Sequence, residues 1–101
     1  MKPDCLFCKL AYDDDAVIWQ TADFAAFKDI HLKARLHLLI VPKQHIDSFD
    51  DIPPQMAAGL IAAVQTVARL KGVSGAYKLG VNVGRKGGQE VDHLHIHLMA
   101  D

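Results

Sequence analysis

The chain has 101 residues, half of them apolar, and sets 11 Lys and Arg against 12 Asp and Glu for a formal net charge of −1. That length predicts a single domain spanning 1–101, and the near-neutral balance excludes a global electrostatic pull toward nucleic acid or a membrane surface. No run approaches the ~18 consecutive apolar residues of a membrane span, and Lys2, Asp4, Lys9 and Asp13–Asp15 leave no apolar signal segment at the start.

In chain order, a short helical turn is expected near Cys5. Residues 16–20 and 24–28 read as two strands of a hairpin around Thr21-Ala22-Asp23, and the strongly apolar segment 36–41 reads as a strand ended by Pro42. Asp50-Asp51-Ile52-Pro53-Pro54 has the composition of a helix start. The main helix is expected over about 54–71, with Met56, Leu60, Val64, Val67 and Leu70 at helical spacing and Gly72 as its stop. Five alanines on it (Ala57, Ala58, Ala62, Ala63, Ala68) permit close approach of a second helix. Segments 77–83 and 93–99 complete an antiparallel sheet of about five strands, so the fold class is α+β with one main helix and a short N-terminal helix. Lys33, Arg35, Lys43, Arg85 and Lys86 are scattered and read as solvated surface, and His31 as a solvated loop residue.

The segment His93-Leu94-His95-Ile96-His97-Leu98-Met99 carries the most chemistry. On a strand, successive side chains face opposite ways, so three imidazoles line one face and an apolar row lines the other. The bland alternative is a strand with a histidine solvent face. One metal held by all three is disfavoured, because the Cα atoms of His93 and His97 would stand about 13 Å apart at ~3.3 Å per residue. Three neighbours with separate roles are expected instead, and near neutral pH an imidazole can be nucleophile, base or acid. Upstream, Asn82 and Gln89 offer amide donors, and Gly84, Gly87 and Gly88 allow a tight turn, a set that suits phosphate.

Cys5-Leu6-Phe7-Cys8 is half of a zinc site by spacing. A redox pair and two buried, unbonded cysteines are the other readings, although a thioredoxin-like pair would follow a strand. Metal-like cysteine spacing without a signal segment predicts a reducing, cytoplasmic location.

With these motifs in view, the chain resembles the histidine triad (HIT) proteins, which are nucleotide hydrolases and transferases with the signature His-φ-His-φ-His-φ-φ. The segment 93–99 matches at every position. Gly87-Gly88-Gln89, Ala26-Phe27-Lys28-Asp29-Ile30 and the run from His37 through Val41-Pro42-Lys43 to His45-Ile46 are also similar to the family. The resemblance implies a HIT-like fold and attack by His95 on the α-phosphorus of a nucleoside phosphoramidate or related purine nucleotide, through a nucleotidyl-histidine. Water then releases the monophosphate. It implies that His97 contacts the phosphate or leaving group, with His93 and His37 beside the catalytic ring. It also places Phe27, Asp29, Ile30, Asn82, Gly88 and Gln89 around the nucleotide, with Asp29 accepting from the ribose. The zinc-containing branch implies a structural zinc on Cys5, Cys8, His45 and His93, with no metal needed for catalysis, and the family as a whole implies a homodimer joined through the main helix and the strand near Asn82. Cleavage of dinucleoside polyphosphates, a nucleotide-binding module with little turnover, and a metalloenzyme using the triad as ligands are the competing readings. Two departures bear on selectivity. Glu90 stands where many members have Ser or Thr, and the sequence ends at Asp101 where members usually continue with a Gly-rich tail.

Overall fold

A computed structural model describes residues 4–101. Five strands form one antiparallel sheet in the order β1-β2-β3-β5-β4: β1 (Val17–Gln20), β2 (Phe24–Lys28), β3 (Leu36–Pro42), β4 (Lys78–Gly80) and β5 (Ile96–Ala100). Two helices cover its two faces, α1 (Leu6–Ala11) and α2 (Ala57–Leu70).

The sequence alternation decides which helix each side chain meets. Phe24 and Ala26 of β2, Leu38 and Ile40 of β3, and Ile96 and Leu98 of β5 pack with Leu60, Val64 and Val67 of α2. Their neighbours Ala25, Phe27, Leu39 and Val41 turn the other way and pack against Phe7 and Ala11 of α1. Central strand β3 is covered on both sides, which is why it reads as a continuous apolar run. In its register with β5, Leu39 pairs with His97 and His37 with Met99. A shared face follows from that pairing, so His37 and His97 stand on the α1 side of the sheet.

Helix α2 is led in by a 3-10 turn at Pro54–Met56. It ends where Gly72 takes φ +72°. The Gly72 amide donates to the Arg69 carbonyl at 3.1 Å and the Val73 amide to the Ala68 carbonyl at 3.0 Å, the paired bonds of a glycine-capped helix end. The expected stripe holds for Leu60, Val64 and Val67, whereas Leu70, in the last turn, is exposed. Ala63 and Ala68 are also buried, so only Ala57, Ala58 and Ala62, with Ile61, form an outer face open to a second helix.

Two strands are shorter than the sequence suggests. Of the expected 77–83 only Lys78–Gly80 pairs, and β5 starts at Ile96 instead of at His93. The cause is visible in the main chain. The His93 amide donates to the Val91 carbonyl at 2.8 Å and the Leu94 amide to the Ile46 carbonyl at 2.7 Å, so neither is free for a ladder bond to a neighbouring strand. Side-chain alternation nevertheless persists through the segment, with Leu94 in the α2 core.

Candidate active site and metal centre

Cys5, at the N-cap of α1, accepts the Cys8 amide on its sulfur at 3.3 Å. This turn aims both sulfurs at two imidazoles. His93 Nδ1 lies 3.4 Å from each of Cys5 Sγ and Cys8 Sγ, and His45 Nδ1 lies 3.3 Å from Cys8 Sγ. A tetrahedral zinc with Zn–S ~2.3 Å and Zn–N ~2.0–2.1 Å would hold sulfur and nitrogen about 3.5 Å apart, so the four side chains could hold such an ion with little adjustment. The far nitrogens are anchored as metal-binding histidines require: His93 Nε2 donates to the Pro42 carbonyl at 2.8 Å, and His45 Nε2 lies 2.7 Å from Asp47 Oδ1. Both Nδ1 lone pairs thus point inward. Burial pushes the His93 pKa down, which favours the neutral ring that a metal ligand must be, and pushes the Cys5 thiol up.

The turn that presents the His93 ring also presents its carbonyl. His95 Nδ1 donates to His93 O at 2.7 Å, which leaves the lone pair on Nε2. The His95 ring is buried, edge-on to Phe7 at 4.9 Å and to His97 at 5.0 Å between centroids. His97 meets His37, with 2.8 Å between His97 Nδ1 and His37 Nε2, and Asp29 Oδ2 lies 3.3 Å from His37 Nε2. Burial, followed by the neighbouring His95 and His37, lowers the His97 pKa. The His95 and His97 rings border a cleft of about 490 Å³ whose apolar wall is Leu6, Phe7, Leu10, Phe27 and Leu39 and whose polar side includes Asp29, Asn82 and Glu90. Ile30 and Gly88 also line it, as does exposed His31. The cleft therefore pairs a surface suited to a planar apolar ring with imidazole nitrogens suited to phosphate.

Gln89 is placed differently from the sequence expectation. Its side chain is buried, its Oε1 accepts the Gly84 amide at 2.9 Å, and its Nε2 donates to the carbonyls of Asp47 at 2.6 Å and Val91 at 2.9 Å. Both amide protons are used within the protein, so Gln89 fastens the glycine loop and offers nothing to a phosphate. Asn82 Nδ2 donates to the Gly87 carbonyl at 2.8 Å and, being exposed, keeps its remaining groups at the cleft. Sequence reasoning missed Phe7, Leu6 and Leu10 as cleft wall, although apolar residues between and after the two cysteines were the available signal. It also missed Asp47, two residues after His45, as that ring's anchor.

This combination of a five-stranded sheet, an alternating histidine row on its α1 face and an adjacent Cys2His2 cluster defines a class. The chain belongs to the HIT domain family, whose model matches residues 12–101. It is 37% identical over 101 residues to protein HitA of Neisseria gonorrhoeae, covering 95% of this chain and 94% of that protein. A crystal structure of a HIT family hydrolase from Legionella pneumophila Philadelphia 1 matches with a TM-score of 0.86 at 37% identity, covering 96% of this chain and 92% of that one. A Zn-bound histidine triad family protein from Mycobacterium smegmatis matches with a TM-score of 0.82 at 30% identity, covering 96% and 74%.

The Gln89 geometry generates a stability prediction. Gln89→Ala strands a main-chain donor and two acceptors, and urea denaturation should register a loss of about 1–3 kcal/mol. Gln89→Glu, which can only accept, should be no better despite its matching shape.

Proposed function

We propose that this protein is a nucleotide hydrolase or transferase that acts on the α-phosphorus of a nucleoside phosphoramidate, with a purine nucleotide as the bound moiety and His95 as nucleophile. The single observation that carries this reading is the 2.7 Å bond from His95 Nδ1 to the His93 carbonyl, which commits that nitrogen and leaves the Nε2 lone pair for attack. In the first step Nε2 forms a bond to phosphorus, the P–N bond to the leaving amine breaks, and the amine departs with its electron pair and takes a proton from solvent. The Nδ1–H stays on the His93 carbonyl and spreads the positive charge of the nucleotidyl-imidazole. Water then attacks phosphorus, the nucleoside monophosphate leaves, and His95 is restored. His97 contacts the phosphate, His37 backs it, and Asp29 accepts from the ribose while the base lies between Phe7, Phe27 and Ile30. Glu90 supports an amine over a polyphosphate as leaving group, because its carboxylate borders the cleft with no ion-pair partner among the described residues.

Cys5, Cys8, His45 and His93 are the ligands of a structural zinc in this reading. Four protein ligands leave no open position, so the ion would hold the α1 turn against His93 and take no part in the chemistry. The active form is read as a homodimer. Support comes from the open edge of three-residue strand β4, with Leu79 47% exposed, and from the outer face of α2, where Ile61 is 57% exposed among small residues.

Wild-type protein should release AMP from adenosine 5′-phosphoramidate and carry a transient adenylyl adduct in intact-protein mass spectrometry. His95→Ala should retain AMP binding and lose turnover by about three orders of magnitude or more; AMP release by this variant at the wild-type rate would remove His95 from the reaction. Cys5→Ser should lower zinc content in elemental analysis and reduce Tm by roughly 10 °C, equivalent to about 2 kcal/mol for a domain of this size. Sedimentation analysis should give twice the chain mass, and Ile61→Glu should shift it toward one chain.

A further inference from the structure

Asp29, His37 and His97 form a second cluster of metal-ligand type, all ligand atoms lying within 4.8 Å of one another. Two histidines and one carboxylate are a familiar donor set for a divalent metal. The surrounding hydrogen bonds assign it a different task. The main-chain N–H of Lys33 donates to His37 Nδ1 at 3.2 Å. An amide nitrogen only donates, so His37 Nδ1 presents its lone pair, and the proton of the neutral ring sits on Nε2. That Nε2 faces His97 Nδ1 at 2.8 Å, with Asp29 Oδ2 at 3.3 Å as a second acceptor. His97 Nδ1 therefore accepts, and the His97 proton sits on Nε2. This last nitrogen has no hydrogen-bond partner among the described residues and is not buried, so its N–H is available to the cleft.

We propose that the Lys33 main-chain amide is a positioning group: acting through His37, it locks His97 as a neutral imidazole with its proton on Nε2, and it bars metal from the Asp29–His37–His97 cluster. The two rings then present the same nitrogen, Nε2, to one phosphate in opposite states, as a lone pair from His95 and as an N–H from His97. Burial holds the His97 pKa down, in keeping with the neutral ring. The bar to metal follows from the same proton count. An ion on His37 Nε2 would drive the ring proton to Nδ1, directly against the Lys33 N–H. The cluster resembles a metal site in composition and distance, and one amide proton turns it into a fixed donor.

The role of the lock in turnover rests on the phosphoryl-transfer reading above, whereas the tautomers do not, and the experiment separates the two. Long-range proton–nitrogen correlation spectra of the 15N-labelled full chain, as purified at neutral pH, report which nitrogen of each ring is protonated. His37→Gln and His97→Gln supply the assignments. His37 and His97 are expected as Nε2–H, and His95 as Nδ1–H. Lys33→Ala keeps the amide and should keep this pattern. Lys33→Pro removes it and should spread His37 and His97 over both tautomers, with kcat for the phosphoramidate falling about tenfold, the rate equivalent of one hydrogen bond. The wild-type spectrum decides the point even where Lys33→Pro fails to fold. His97 found protonated on Nδ1, or on both nitrogens, overturns the proposal. Elemental analysis checks the second half: one equivalent of metal per chain supports it, and a second equivalent that His97→Gln abolishes overturns it. Absence of AMP release alongside the expected spectrum would sink the phosphoramidate reading and leave the lock standing.

Discussion

The structure turns on one residue with three committed groups. His93 gives its Nδ1 to two thiols, its Nε2 hydrogen to the Pro42 carbonyl, and its own carbonyl to His95 Nδ1. Its ring is fully buried. Each of those contacts reaches a different part of the fold: the start of α1, the end of β3, and the candidate nucleophile. A buried polar ring is costly unless all its groups are paired, and here the pairing itself sets the geometry. No buried side-chain nitrogen or oxygen among the described residues lacks a partner.

Around this residue, the sheet sorts chemistry from packing by simple alternation. The α2 face is apolar and closes the larger core, while the α1 face carries His37, Leu39 and Val41 along β3 with His97 beside Leu39. Helix α1 has six residues, too few to be stable alone. It holds its place through Phe7 and Ala11 in the smaller core and through the sulfur–imidazole cluster. The cleft is thus floored by a rigid sheet and walled by a short helix whose position depends on side-chain contacts.

Much of this was legible in the chain. The two-residue period of His93–Met99 assigned the faces correctly even though regular pairing begins only at Ile96, because alternation depends on extended backbone and not on ladder hydrogen bonds. Gly72 marked the helix end because a positive φ is needed there. Other features had no signature. Gln89 bonds the Asp47 carbonyl 42 residues away, and an amide side chain does not announce which carbonyl it will meet. The Lys33 N–H is less visible still: every residue except proline would supply it, so side-chain identity carries no trace of its role. The His93 and Leu94 amides left the ladder for the Val91 and Ile46 carbonyls, a tertiary competition that local pattern does not encode.

The placement of Phe7 has a thermodynamic consequence. It lies between the two cysteines in sequence and packs edge-on to both His93 and His95, at 6.3 and 4.9 Å between centroids. One side of the Cys5–Cys8 turn faces the ligand cluster while the other forms the apolar wall of the cleft. A metal bound at that cluster and a ring bound in that cleft would therefore order the same six-residue helix. Linkage between such ligands is reciprocal: whatever an occupied metal site contributes to nucleotide affinity, bound nucleotide must return as tighter retention of the metal.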